Sequence, residues 1–211
     1  MRASLLVATV FALGVVSSLA AAPGSVYGPS APGDSAFVRV VNALDSVPSL
    51  RADLGATRFQ DVSYGTVSAY RPVVPDVYLV RVAGMELEVI ARTRTYYTVA
   101  FTSGGILLFE DATHTDPARA QVFLYNLTSI DPIDLKTSDG KTVVIKGVRP
   151  GASGVKVVNA VSATLAVYGA GDRVGAPAVL ALKRGSSFSV FVLGESAKPA
   201  VFSAQAEVKV Q

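Results

Sequence analysis

Short runs of β-branched and aromatic residues, separated by turn residues, recur along the chain after residue 35. Such runs are typical of strands that pack one face on a core. Outside the first twenty residues, no stretch of twelve shows the apolar spacing and caps of a helix. The pattern therefore predicts an all-β fold of antiparallel β-sandwiches, Ig-like or jelly-roll-like, punctuated by Gly and Pro. Representative runs are Phe37–Asn42, Val77–Val82, Tyr96–Phe101, Val122–Tyr125 and Ser187–Val192.

The same order of strands and turns occurs twice along the sequence. Three segments of the first half align with three of the second, and the first pair places an asparagine at the end of a strand both times. The repeat predicts two tandem β-sandwich domains, although alternating β sequences also align with one another by chance. The aligned segments are Ala36–Ala43 with Ala120–Leu127, Val77–Gly84 with Thr164–Gly171, and Tyr97–Val99 with Phe188–Val190, and Val62 aligns with Val148.

The N-terminus has the features of a secretory signal peptide. Arg2 precedes an uncharged and mostly apolar run, Leu5–Ala20, that ends in small residues. We expect cleavage after Ala20 and a periplasmic product; an uncleaved anchor is the alternative, and the run is shorter than the ~20 residues of a membrane-spanning helix. The predicted organisation is a signal peptide at 1–20, an N-terminal arm at 21–35, sandwich domains at 36–112 and 119–211, and a polar, turn-like linker at 113–118.

Charge is divided unequally between the two halves. Residues 34–116 carry seven Arg against seven Asp and three Glu, a net charge of −3. Residues 119–211 carry four Arg and seven Lys against four Asp and two Glu, a net charge of +5. A basic surface attracts polyanions or acidic protein faces, so we predict a polyanion contact through Lys136, Lys141 and Lys146. The alternative is an ordinary solvated face. Nucleic acid is not expected, since the chain has no basic stripe interleaved with stacking aromatics.

The composition leaves few residues for catalysis. The chain has no Cys, no Trp and a single histidine, His114, which excludes thiolate metal sites, Cys nucleophiles and disulfide redox chemistry. Scattered carboxylates give no metal cluster, and we predict neither a metal nor a cofactor. One combination has the letters of a nucleophile site: Gly33-Asp34-Ser35 and Asp111-Ala112-Thr113-His114 resemble two blocks of GDSL-type acyl hydrolases. The family sets its Ser after a buried parallel strand, whereas a proline-broken segment precedes Ser35, so we favour a noncatalytic protein.

Several ordered blocks resemble the alginate biosynthesis protein AlgF family. They are Val26–Ala43, Asn126–Thr128, Leu135–Val144, Val148–Pro150, Val158–Val161, Thr164–Tyr168 and Leu182–Gly185. The resemblance spans nearly the whole chain after the predicted cleavage site. It implies two linked β-sandwiches that act as a periplasmic accessory protein in O-acetylation of the exopolysaccharide alginate, beside a membrane acyltransferase and periplasmic acetyltransferases.

The resemblance also directs the search for binding residues. We predict a noncatalytic adaptor whose partners are the alginate O-acetylation proteins, with polymannuronate or alginate as a further ligand and no stable membrane insertion after cleavage. The predicted partner-binding residues are Tyr27, Gly28, Pro29, Phe37 and Arg39. Two alternatives stay open at this point. The chain could be a secreted polyuronate-binding module, or a GDSL-like acetyltransferase or esterase that uses Ser35 and His114.

Overall fold

The computed structural model describes residues 31–194 and 198–210; the predicted signal peptide and residues 21–30 of the predicted arm lie outside them. The strands form two successive sets. The first module contains β1 (Ala36–Ala43), β2 (Ser49–Leu54), β3 (Thr57–Ser63), β4 (Thr66–Val67), β5 (Arg71–Val73), β6 (Val77–Val82), β7 (Met85–Ile90), β8 (Tyr96–Thr102) and β9 (Gly105–Asp111). The second module contains β10 (Ala120–Asn126), β11 (Ile133–Thr137), β12 (Val143–Val148), β13 (Ser153–Val158), β14 (Ser162–Gly169), β15 (Asp172–Ala181), β16 (Ser187–Leu193) and β17 (Ala200–Gln205).

Each module has one sheet built around a parallel pair of strands. The order is β4-β1-β8-β9 in the first module, with β5 also beside β1, and β13-β10-β16-β17 in the second. β1 runs parallel to β8, and β10 runs parallel to β16. Parallel neighbours need a long crossover, and the intervening strands of each module supply it. The predicted all-β fold is confirmed; antiparallel pairing, also predicted, holds for the other strand pairs of the described residues.

The remaining strands cover the inner face of that sheet. In the second module they form one sheet, β12-β11-β14-β15, and in the first they form two hairpins, β2–β3 and β6–β7. Alternate side chains point inward, as the two-residue period requires: Val38 and Val40 of β1 meet Val80 of β6 and Val89 of β7, all 0% exposed. A separate core in the second module gathers Val122 and other apolar residues from β10, β11, β14 and β16.

A third apolar cluster lies between the two modules. It joins the outer faces of the two sheets that contain parallel pairs. β10 is consequently buried on both faces along its whole length. The members are Val41, Ala43, Ala100 and Phe109 from the first module and Phe123, Tyr125, Leu127, Phe191 and Leu193 from the second. Both modules belong to one unit, Ala31–Gln211, and the domain boundaries proposed from the sequence stay a prediction.

Two buried asparagines occupy equivalent positions in the modules. The Nδ2 of Asn42 donates to the Val62 carbonyl at 3.0 Å, and the Nδ2 of Asn126 donates to the Val148 carbonyl at 3.1 Å. Each Oδ1 accepts from the backbone amide two residues further on, and each Nδ2 donates a second bond to a carbonyl of the following loop. The aligned residues therefore make the same contacts, and in each module the asparagine ties the end of one strand to the loop that leaves it.

The hairpins β6–β7 and β14–β15 turn through the same two residue types. Ala83 and Gly84 have φ angles of 52° and 80°, and Ala170 and Gly171 have φ angles of 51° and 93°. Two successive residues with positive φ are the pattern of a type I′ turn, which fits the twist of a two-residue hairpin loop. Counted back from these two turns, Val77 of β6 is equivalent to Thr164 of β14.

The segment between β9 and β10 is an ordered turn. The carboxylate of Asp116 accepts from Arg119 Nε at 2.6 Å and from the Ala118 amide at 3.0 Å. These hydrogen bonds from Arg119 and Ala118 hold the pKa of the partly exposed Asp116 below its ordinary value. The region described contains no helix of the length and apolarity needed to span a membrane.

Candidate functional site: the junction of the two modules

The side chain of Arg39 lies in the junction and is 1% exposed. Because Val38 and Val40 point into the core of the first module, Arg39 points the other way, toward the second module. Its Nε donates to Thr98 Oγ1 at 2.8 Å, and its Nη2 donates to the Tyr125 hydroxyl and to Ser189 Oγ at 2.9 Å each. One guanidinium therefore binds side chains from both modules.

Asp111, at the end of β9, supplies the negative charge of this cluster. Its Oδ1 accepts from the Tyr125 hydroxyl at 2.6 Å, and its Oδ2 accepts from the Tyr70 hydroxyl at 2.7 Å and from Thr98 Oγ1. The nearest Arg39 nitrogen lies 4.0 Å away. Hydroxyls thus bridge the cation and the anion, which leaves neither charge unpaired in the interior.

Aromatic rings enclose the guanidinium. Its central carbon lies 4.5 Å from the ring centroid of Tyr70, 5.6 Å from that of Tyr125 and 5.4 Å from that of Phe191. These distances fall within the range of cation–π attraction. Tyr125 and Phe191 are themselves stacked, with centroids 4.6 Å apart.

Burial sets the protonation states of the cluster. Burial raises the pKa of the Tyr70 and Tyr125 phenols well above the ordinary value, so both stay neutral donors. Burial opposes the charge on Arg39, but Tyr125, Tyr70 and Asp111 outweigh it and hold the Arg39 pKa above its ordinary value. A protonated Arg held by neutral phenols is suited to binding the modules together.

A cavity of about 280 Å³ opens beside this cluster. Its walls include Tyr70, Tyr96, Asp111, His114 and Phe123, and the C-terminal segment closes one side through Val208. That segment is held by backbone bonds of 2.8 Å from the Tyr70 amide to the Glu207 carbonyl and from the Lys209 amide to the Tyr70 carbonyl. The end of the second module thereby pairs with the first.

The hydrolase-type residues do not form a triad. His114 Nε2 lies 3.0 Å from the Arg119 carbonyl oxygen, which only accepts, so Nε2 is the donor of this hydrogen bond. Nδ1 is buried and has no hydrogen-bond partner in the described part of the chain. Both carboxylate oxygens of Asp111 accept hydrogen bonds from Tyr and Thr hydroxyls. Ser35 is buried in a turn before β1, and among the described residues neither His114 nitrogen bonds to it.

The predicted partner-binding residues are spread over different environments. Tyr27, Gly28 and Pro29 lie outside the described residues. Phe37 is partly exposed and stacks on Tyr96, with centroids 4.7 Å apart. Arg39 contacts the chain's own residues in the interior, so we assign it a structural role in holding the modules together.

The three predicted polyanion contacts lie on one side of the second module. Lys141 and Lys146 are exposed, on the β11–β12 turn and on β12. Lys136 is partly buried on β11; its Nζ lies 3.4 Å from Asp134 Oδ2 and 5.1 Å from the ring centroid of Tyr168. Lys136 is thus already engaged within the chain, whereas the other two are available to a ligand.

The described residues provide no group of three or more His, Cys, Asp or Glu side chains that could hold a metal ion. The sequence reasoning did not identify Tyr70, Tyr125 or Ser189 as parts of the junction. One signal was present: β10 reads Ala120–Asn126 with apolar residues on both faces, and a strand apolar on both faces is covered on both faces. The fold and junction define a tandem β-sandwich protein whose buried polar cluster joins the two sandwiches.

Comparison with known proteins identifies the family. A family model described as alginate O-acetyl transferase AlgF matches residues 9–189. The chain is 33% identical to the alginate biosynthesis protein AlgF of Pseudomonas putida over 192 residues, covering 90% of this chain and 88% of the relative. It is also 33% identical to the AlgF proteins of Pseudomonas aeruginosa, covering 90% of this chain and 88% of the relative, and of Azotobacter vinelandii, covering 83% and 80%. The chain belongs to the AlgF family.

A solved structure of the C-terminal domain of AlgF from P. aeruginosa is 32% identical in sequence and superposes with a TM-score of 0.38. The match covers 42% of this chain and 98% of that domain. Membership of the AlgF family supports a role in alginate biosynthesis and its acetylation.

Proposed function

We propose that this chain is a periplasmic, noncatalytic adaptor of alginate O-acetylation. It bridges the membrane acyltransferase and the periplasmic acetyltransferases through its surface. The observation that carries the proposal is the arrangement at the junction: the lone histidine bonds to a backbone carbonyl, and the Asp111 carboxylate is taken up by three hydroxyls. A nucleophilic acetyl transfer needs a base aimed at the nucleophile, and His114 is not aimed at Ser35.

The rigid junction supports an adaptor in a second way. A bridging protein holds its partners at a fixed separation only when its own parts do not move relative to each other. The apolar cluster, the hydrogen bonds of Arg39 and Asp111 to Tyr125, and the C-terminal pairing at Tyr70 each join the same two modules.

Complementation of a deletion tests the adaptor proposal. Removing the gene from an alginate-producing strain should lower the acetyl content of the polymer without stopping polymer synthesis, and the wild-type gene should restore it. A tagged chain should co-purify with the membrane acyltransferase from detergent-solubilised envelopes. Unchanged acetyl content in the deletion strain would contradict the proposal.

A second candidate, direct binding of the polymer, rests on the basic side of the second module. Polyuronate carries a carboxylate on every sugar, and exposed Lys141 and Lys146 would attract it by electrostatics that salt weakens. Calorimetric titration with polymannuronate tests this candidate. Binding that weakens with added salt and in K141A/K146A supports it, and absence of binding at low salt excludes it.

A further inference from the structure

Four large apolar side chains are exposed together at the hairpin β6–β7 of the first module. Val74, just before the hairpin, is 73% exposed, and Val77, Leu79 and Ile90 within it are 54%, 47% and 50% exposed. Val77 lies directly opposite Ile90 in the strand register. Because Val80 and Val89 point into the core, Val77, Leu79 and Ile90 share the outer face; we call these three residues the hairpin patch.

The equivalent hairpin of the second module exposes fewer apolar side chains. The equivalent hairpin β14–β15 has the same type of turn, and counting back from it places Thr164 where the first module has Val77 and Ala166 where it has Leu79. Ala166 is small and 1% exposed. Val179, opposite Thr164, is 75% exposed, so the second module exposes one apolar side chain where the first exposes three on one face. Exposed apolar side chains that are grouped in this way mark a surface for binding.

Acidic groups border the patch. Glu88 lies opposite Leu79 in the register, and no basic side chain of the described residues forms an ion pair with it. The neighbouring Glu86 is neutralised by Arg81 at 3.0 Å. An apolar patch beside one unpaired carboxylate fits a protein surface of apolar side chains that brings a Lys or Arg to that carboxylate. Two copies of the patch facing each other would instead bury two like charges.

We propose that the hairpin patch and Glu88 form the docking surface for one protein component of the acetylation machinery, whose contact face is apolar with a basic side chain opposite Glu88. The proposal rests on the adaptor function proposed above and adds the surface that performs it. Contact with the patch is short-range and apolar, while Glu88 contributes charge pairing that salt weakens.

Matched variants and photo-crosslinking test the surface. V77T/L79T makes the patch polar while keeping strand-forming residues, and V179T makes a comparable change at the exposed residue opposite Thr164 in the second module. E88K reverses the charge at a residue without an ion pair, so that it provides a second variant with no packing change. A photo-reactive residue at position 90, with the equivalent position 179 as control, reports the neighbour in cells that make alginate.

The expected result is a crosslink to another protein from position 90 and not from position 179. V77T/L79T and E88K should each lower the yield of this crosslink about tenfold, which corresponds to a loss of ~1.4 kcal/mol in binding free energy. Both variants should also lower the acetyl content of the polymer. V179T should leave both unchanged, and all variants should keep the wild-type urea midpoint. An adduct with a second copy, or with residues 21–30 of the same chain, would overturn the proposal.

The deletion strain separates the two proposals. If deletion lowers acetyl content but V77T/L79T and E88K both sustain wild-type acetylation, the docking surface is wrong and the adaptor function stands. If deletion has no effect on acetyl content, the adaptor function and the docking surface fall together.

Discussion

The Tyr125 hydroxyl of the second module donates to the Asp111 carboxylate of the first at 2.6 Å and accepts from Arg39 at 2.9 Å. One phenol therefore links the buried anion to the buried cation across the junction. Neither charge could be buried here alone, because each depends on hydroxyls that the other module helps to supply.

Removing the cation should unfold the junction. Substituting Arg39→Met leaves Asp111 buried without its cation, and we expect a loss of about 3–5 kcal/mol in the free energy of unfolding. The free energy of unfolding of the double variant R39M/D111L should fall by less than the sum of the losses in R39M and D111L, because the double variant removes both charges. Urea denaturation measures these values. R51M removes a 3.8 Å ion pair on the surface and should cost less than ~1 kcal/mol; an equal loss in R39M would contradict a structural role for Arg39.

The two equivalent asparagines should be equally important to their modules. N42A and N126A each remove two hydrogen bonds to backbone carbonyls, one buried and one partly buried, and we expect each to cost about 2–3 kcal/mol. N159A, at an exposed position, should stay within about 0.5 kcal/mol of the wild type. A near-neutral result at one asparagine and a large loss at the other would show that the repeated contacts differ in strength.

Stability should fall in alkaline solution. Burial raises the pKa of Tyr70 and Tyr125 above the ordinary value of 10, so their contribution is fully present below pH 10. Above it the unfolded phenols ionise first, and stability declines as pH rises. Urea midpoints measured between about pH 8 and pH 11 check this slope. The slope should be shallower in Y125F than in Y168F, whose hydroxyl reaches only the surface turn at Ser138; equal slopes would contradict this explanation.

Sequence periodicity was sufficient to predict the strands but not the packing of the two modules at the junction. In β1 the alternation correctly directs Val38 and Val40 to the core and Arg39 away from it, and the sequence interpretation took that outward face for a surface. The second module covers it. Such coverage depends on how two distant parts of the chain pack, and a period of two carries no information about that packing.

The match of Asp111 and His114 to a hydrolase motif did not predict their positions, for a related reason. Asp111 and His114 have the spacing of a hydrolase block, yet β9 ends at Asp111 and turns its carboxylate into the junction, while His114 lies in the following turn. Spacing along the chain leaves the direction of a side chain open when a strand ends between the two residues. The repeat was more informative, because Asn42 and Asn126 depend on local contacts that the sequence encodes twice.

The acetyl content of alginate made by a deletion strain that carries S35A/H114A tests the noncatalytic account most directly. The account predicts wild-type acetyl content, since neither side chain takes part in the transfer of the acetyl group. A fall to the level of the deletion strain, with the variant present in wild-type amount and with a wild-type urea midpoint, would contradict it and assign catalysis to these residues.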